Sequence, residues 1–158
     1  MRVPAPPAQQ CLSPIGEDLI CRGLEKEIHL DFIKARTRPS AVYGGHSFIV
    51  EAAIGYGGRI PPEGNARILR FANRVPLLYQ QGACAITDCV SQVNWKNYGL
   101  AQQGLPVGPV LIMVHVASTN VPFTSESKDA IASIPEIERA VVLVLQELGR
   151  ELKRDLSG

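Results

Sequence analysis

Residues 110–117, Val-Leu-Ile-Met-Val-His-Val-Ala, are apolar at nearly every position. Both alternating sets share this character: Val110, Ile112, Val114 and Val116 on one side, Leu111, Met113, His115 and Ala117 on the other. A strand with one solvated face alternates apolar and polar residues, so this run predicts a central strand covered on both faces. Residues 47–54 predict a second strand, with Phe48, Val50, Ala52 and Ile54 on one face. Residues 67–75 predict a third, placing Leu69, Phe71 and Val75 on one side and Arg70, Ala72 and Arg74 on the other. The spacing then changes. Ile137, Val141, Val144, Leu148 and Leu152 recur every three or four residues across 135–156, the apolar stripe of a helical rod about 30 Å long. Pro135 suits its first turn, and Ser133 and Glu136 have capping-box spacing.

Two further helices follow from the same reasoning. Ser13 and Pro14 open one over 14–28, with Ile15, Leu19, Leu24 and Ile28 as its apolar face and Gly16 and Gly23 weakening it. Ala83, Ile86, Val90 and Val93 mark another over 82–93, which runs into Asn94-Trp-Lys-Asn-Tyr98 and stops at Gly99. Residues 30–42 leave open an edge strand or a short helix, and 105–109 read as a connection. The sum is an α+β fold with helices packed on one sheet.

Composition narrows the possibilities. At 158 residues the chain is a single domain, long enough for a real core. Its formal net charge of +1 gives no global attraction for nucleic acid, so any DNA contact has to come from a local patch. No apolar run approaches the length of a bilayer span. Residues 1–12 read as a flexible, Pro-rich leader without the apolar centre of a signal peptide, and a cytoplasmic location is expected. Cys11, Cys21, Cys84 and Cys89 contain no Cys-x-x-Cys pair, and His29, His46 and His115 are not spaced with them as zinc ligands. Reduced, mostly buried thiols and no metal site are the expectation.

The remaining candidates are local. Gly55-Tyr-Gly-Gly58 fits neither phosphate-loop pattern and reads as a turn. Lys34, Arg36 and Arg38 form a basic cluster, either a solvated face or a phosphate-contacting patch. Arg70 and Arg74 have partners the sequence does not decide, carboxylates in the sheet layer among them. On spacing alone Lys128 is a solvated loop lysine, Trp95 and Tyr98 pack at a helix end, and Lys96 is exposed. No pattern pairs a nucleophile with a base, which argues against an independent small-molecule enzyme.

Three motifs, taken in order, change this picture. They are Arg70-Phe-Ala-Asn-Arg-Val-Pro-Leu-Leu-Tyr79, then Trp95-Lys-x-Tyr98-Gly99, then His115-Val-Ala-Ser-Thr-Asn-Val-Pro-Phe-Thr-Ser-Glu-Ser-Lys128 with Ile134-Pro-Glu-Ile-Glu138 after it. Together they resemble the transducer domain of the DNA topoisomerase VI B subunit, and Cys11-Leu-Ser-Pro-Ile-Gly-Glu17 resembles the segment that opens it. The resemblance covers about residues 11–156 and implies a transducer over 13–158. It implies a four-stranded sheet backed by helices, of the ribosomal-protein-S5-domain-2-like kind, with a left-handed βαβ crossover and a long C-terminal helix.

The implied activity is that of an archaeal-type, ATP-hydrolysing type IIB topoisomerase, in which this domain couples ATP binding to double-strand passage, relaxation and decatenation. Lys128 matches a lysine that senses the γ-phosphate of ATP in a neighbouring domain of the gyrase, Hsp90 and MutL type. A flexible ammonium suits that task, because it can engage or withdraw as the phosphate comes and goes. Lys96, with Trp95 and Tyr98 beside it, matches an element implicated in sensing DNA; lysine pairs with backbone phosphate while flanking aromatics supply rigid surface. The implied partners are the topoisomerase VI cleavage subunit, the ATP-binding domain of the B subunit, DNA, and a second copy of the B subunit when ATP binds, with no membrane.

The resemblance also implies what these residues leave to others. ATP and Mg²⁺ are held mainly by the ATP-binding domain, whose acidic and glycine-rich boxes are missing from these 158 residues. The cleaving tyrosine belongs to the cleavage subunit, so no catalytic residue is assigned here, and the chain alone is expected neither to hydrolyse ATP nor to cut DNA. Arg150, Lys153 and Arg154 near the rod's end complement the helix dipole and are placed to meet acidic surface or DNA. The competing reading is a docking remnant that binds the cleavage subunit without responding to nucleotide.

Overall fold

In the structure, a computed structural model describing residues 14–79, 81–124 and 130–157, the apolar run becomes a strand buried at all nine positions, 110–118. The described strands are β1 (Phe32–Thr37), β2 (Ala41–Tyr43), β3 (His46–Tyr56), β4 (Arg67–Ala72), β5 (Val75–Pro76), β6 (Ala101–Gln103), β7 (Leu105–Val107) and β8 (Val110–Ser118). The helices are α1 (Glu17–Glu27), α2 (Ala85–Gln92) and α3 (Pro135–Ser157). Sheet order is β1-β3-β8-β4-β5, with β2 also paired to β3.

β8 is central, as its two apolar faces required. It runs antiparallel to β3 from Phe48↔Ser118 to Tyr56↔Val110, and parallel to β4 from Arg67↔Leu111 to Ala72↔Val116. Parallel neighbours need a crossover, and α2 with the small β6–β7 hairpin supplies it. The longer strands β1, β3, β8 and β4 form the body of the expected sheet, while short β2 and β5 extend its edges. β1 and β2 lie end to end along β3, joined in register by the Arg38 N–H on the Val50 carbonyl (2.9 Å). Residues 30–42 therefore supply edge strands rather than a helix.

The sheet has two unequal faces. On one, Phe48, Val50, Ala52, Ile54, Ile112, Val114 and Val116 pack against the buried sides of α2 and α3, including Ile86, Val90, Val141, Val144, Leu148 and Leu152. On the other, α1 covers a small buried cluster of Ile20, Ala35, Ala53 and Met113.

Several sequence expectations shift. α1 begins at Glu17 rather than at Pro14: Gly16, with φ 95°, is its N-cap, a backbone region that favours glycine. The expected cap, Ser13, lies outside the described residues, as do residues 1–12 and the Ala83 side chain. Of the expected α1 stripe, Ile15, Leu24 and Ile28 are half-buried and Leu19 is 57% exposed; the buried residue of the helix is Ile20, which the stripe did not include.

The strand expected over 67–75 is cut by Asn73 and Arg74, both at positive φ (47° and 69°). Two consecutive positive-φ residues make the twist-compatible hairpin turn, so Val75 belongs to the separate β5. The helix expected from Gly82 starts instead at Ala85, after a single 3₁₀ turn at Gln81–Ala83. Residues 101–107 form the β6–β7 hairpin, so the stretch read as a plain connection, 105–109, begins with a paired strand. Ser133 donates its hydroxyl to the Glu138 carboxylate (2.9 Å), not to a capping box with Glu136. Among the described residues, no helix is long and apolar enough to cross a membrane.

Candidate functional site

The turn Trp95–Tyr98 is built from the inside outward. Trp95 is fully buried, and its indole N–H donates to the Val90 carbonyl at 2.8 Å. Its backbone N–H donates to the Gln102 side-chain oxygen (3.0 Å), while the Gln102 amide reaches the Val93 and Gly104 carbonyls at 2.8 and 2.9 Å. One glutamine thus ties the end of α2, the turn and the β6–β7 hairpin together. Tyr98 stands edge-on to Trp95, with ring centroids 6.0 Å apart at 72°, an arrangement aromatic quadrupoles favour. Gly99, left-handed at φ 89°, ends the turn as its position in the sequence predicts.

The turn rests on α3. The ring of Tyr98 occupies the place a side chain at Gly149 would take, and Leu156 Cδ1 lies 3.6 Å from the Cβ position of Gly99. Gly149, Lys153 and Leu156 follow one another at spacings that share a helix face. Exposed Lys153 is thereby on the side of α3 that meets the turn, and exposed Lys96 is on the turn. Of the three residues matched to a DNA element, Lys96 is thus at the surface, Tyr98 is half-buried, and Trp95 is in the core. The Trp95 ring serves as the footing of the element, since none of its surface is open to a ligand.

Lys128 lies in residues 125–129, outside the described residues. The segments flanking it are firmly held. Thr124 N–H donates to the Ala130 carbonyl (2.9 Å) and Ala132 N–H to that of Pro122 (2.6 Å). Buried Ile131 accepts from the Ala85 N–H (2.9 Å) and donates to Cys84 Sγ (3.3 Å). The two ends of the loop therefore meet in a closed neck seated on the N-terminus of α2.

Two members of the basic cluster, Arg36 and Arg38, stand against carboxylates. Arg38 Nη1 is 3.2 Å from Glu147 Oε1, and Arg36 is 3.8–3.9 Å from Glu17, Glu147 and Glu151. These contacts span from α1 through the edge of β1 to α3, and their partial exposure keeps each weak. Arg70, 3% exposed, donates to the Leu77 and Tyr79 carbonyls at 3.0 and 2.8 Å. Arg74 donates to the Pro14 carbonyl (2.9 Å).

Sequence reasoning overlooked a polar hub. Glu51 and His115 face each other across β3 and β8, both side chains fully buried, with Oε2 and Nδ1 2.7 Å apart. Glu51 also accepts the N–H groups of Ile15 and Gly16 and the Thr37 hydroxyl, each at 2.8 Å. His115 Nε2 accepts the Arg74 N–H (3.0 Å), so the ring's proton sits on Nδ1 and is donated to Glu51. Burial alone would raise the Glu51 carboxyl, but the hydrogen bonds from His115, Gly16, Ile15 and Thr37 outweigh it and bring it down to about 2. The signal was legible: a lone glutamate in an apolar strand and a histidine in a strand buried on both faces each require a partner.

The cysteines behave as small core residues. Cys84 and Cys89 are buried and Cys21 is half-buried, all as free thiols. Burial, with Glu138 and Asp88 adding to it, pushes the Cys89 thiol up to about 12, and burial raises Cys21. Neither is primed as a nucleophile. Cys11 lies outside the described residues, among which no group of three His, Cys, Asp or Glu residues is placed to hold a metal ion.

Comparison with known proteins gives the family. Residues 7–158 match the profile described as topoisomerase VI B subunit, transducer. The type 2 DNA topoisomerase 6 B subunit of Methanosarcina mazei is 58% identical over 99% of this chain and 25% of its own length. That of Archaeoglobus fulgidus is 52% identical over 96% of the chain and 25% of its length. The chain thus spans about a quarter of the length of the curated relatives it matches. Among solved structures, the gyrase B subunit of Myxococcus xanthus superposes with a TM-score of 0.53 at 19% identity, covering 85% of this chain and 38% of that one. The 43K ATPase domain of Thermus thermophilus gyrase B gives 0.50 at 19% identity, covering 90% and 39%. These two speak for the fold, and the sequence matches for the lineage: the chain belongs to the topoisomerase VI B subunit transducer family.

Proposed function

We propose that the chain is the coupling element of an ATP-dependent type IIB DNA topoisomerase. In this reading it passes nucleotide binding in an ATP-binding domain to a cleavage subunit that opens and closes the DNA gate. The observation that carries it is the seating of the Trp95–Tyr98 turn on the C-terminal half of α3, which joins exposed Lys96 to the long helix and its cation Lys153. Lys96 and Lys153 would meet backbone phosphates, a positioning contact without sequence preference, and any shift of the turn is felt by the rod directly.

At the other end, Lys128 would reach the γ-phosphate of ATP. The closed neck at Thr124 and Ala130, bonded through Ile131 to the start of α2, supports such a role because displacement of the loop loads α2, which shares its core with α3. ATP and Mg²⁺ would be held mainly outside this chain: among the described residues no group of three His, Cys, Asp or Glu is placed to hold a metal ion, and the sequence has no phosphate-loop pattern. The residues here would contribute charge and position, and the bond-making chemistry would lie with the cleavage subunit.

The test is a pull-down of this chain with a family ATP-binding segment and a family cleavage subunit, with and without a non-hydrolysable ATP analogue. Nucleotide-strengthened assembly that Lys128→Ala abolishes is the expected result. Assembly with the cleavage subunit that ignores both nucleotide and mutation would reduce the chain to a docking remnant. No assembly would leave a relationship of descent only.

A further inference from the structure

Gly149 lies well inside α3, where glycine is, proline apart, the least favourable residue a helix can hold. It is buried there. A Cβ added at Gly149 would fall 2.5 Å from Cδ2, 2.7 Å from Cε2 and 2.9 Å from Cγ of Tyr98. Those are ring carbons of a side chain held from its other side. Tyr98 is braced edge-on by Trp95, Trp95 is pinned through both its N–H groups, and Gly99 closes the turn by donating to the Lys96 carbonyl at 3.3 Å. With 2.5 Å available and about 3.5 Å needed between carbons, any side chain at 149 lifts the ring, and the turn with it, by roughly 1 Å.

From this we infer that Gly149 is a positioning residue for Lys96: the notch it leaves in α3 seats the turn and fixes Lys96 relative to Lys153. The inference rests on the reading of Lys96 as a DNA contact. It explains why a long amphipathic helix tolerates a poor helix former at this one inward-facing position, where alanine would be better for the helix alone.

The experiment measures the binding of a fluorescent duplex DNA to the 158-residue chain across a salt series, in a cycle of Gly149→Ala and Lys96→Ala. In the otherwise unchanged chain, Lys96→Ala is expected to weaken binding and lower the salt slope by about 1, the signature of one lost phosphate contact. In the Gly149→Ala background the same substitution is expected to change nothing further, because Lys96 has already left its place. Tyr98→Leu removes the other half of the notch and is expected to silence Lys96→Ala in the same way, which keeps the test intact should Gly149→Ala fail to fold. An undiminished Lys96→Ala effect in both backgrounds overturns the positioning role and leaves the DNA reading standing. A Lys96→Ala effect absent from the unchanged chain overturns the DNA reading and the inference with it.

Discussion

On the α3 side of the sheet, Phe48, Val50, Ile54, Ile112 and Val114 meet a continuous layer of helix side chains. On the α1 side, the buried apolar cluster is Ile20, Ala35, Ala53 and Met113, and the strand positions beside it include Glu51 and His115. Beyond α1, Leu69, Phe71, Leu111 and Met113 floor an apolar groove of about 500 Å³. The same strands thus face a packed interior on one side and a thin, polar-centred layer on the other. The first face owes its stability to the area it removes from water; the second owes its geometry to directed hydrogen bonds, which fix where α1 and the Asn73–Arg74 turn sit. Under the coupling role proposed above, the first side would move as one body and the second would supply attachment that is specific but shallow.

The comparison breaks most visibly at Leu148. Leu148→Ala opens a cavity in the packed face and is expected to cost about 2–5 kcal/mol, measured by urea denaturation. A loss below about 1 kcal/mol would mean that the α3 face is no better packed than the other. Next in size is Glu51→Gln, which keeps the shape of the side chain but leaves four donors facing a neutral amide, with an expected loss of about 2 kcal/mol. The same carboxyl sets a pH dependence. Its value is lowered to about 2 in the folded chain, so its contribution is fully present above its ordinary range near 4–5. That contribution fades as pH falls through this range toward 2. Urea midpoints followed from pH 6 to pH 2.5 should show a decline that Glu51→Gln flattens; parallel curves would assign the acid sensitivity elsewhere. Smallest of all is Leu19→Gln on the open rim of α1, 57% exposed. It is expected to change stability by less than about 0.5 kcal/mol, and a larger loss would show that the groove side is more tightly closed than its exposure implies.

How far the sequence could be read follows the same division. Elements of the packed face were legible because burial writes a period into the chain: β8, β3 and α3 appear with errors of one or two residues. Elements of the thin face were misjudged. The apolar residues of α1 suggested a full stripe, yet the helix covers only the strands near β1 and β3, and Leu19 is left outside. The break at Asn73–Arg74 was hidden by an apolar alternation that runs through a two-residue turn. At the site, the Trp-Lys-x-Tyr turn was visible as a motif, but its seat on Gly149 was not, since a glycine inside a helix pattern reads only as a weakness. His115 was in view as a single residue and Glu51 was passed over; what pairs them is register, which lies beyond any local pattern.

The placement of β8 has a consequence for how the chain comes into being. Glu51 and its partner His115 are 64 residues apart, and the strand that joins β3 to β4 is the last of the sheet to be made. During synthesis β3 and β4 emerge with nothing between them, and such open edges invite pairing with other chains. Long-range closure of this kind is also slow compared with helix formation. The sheet is therefore completed by insertion of its middle, and the edges of β3 and β4 that β8 covers stay open until residue 118 has been made.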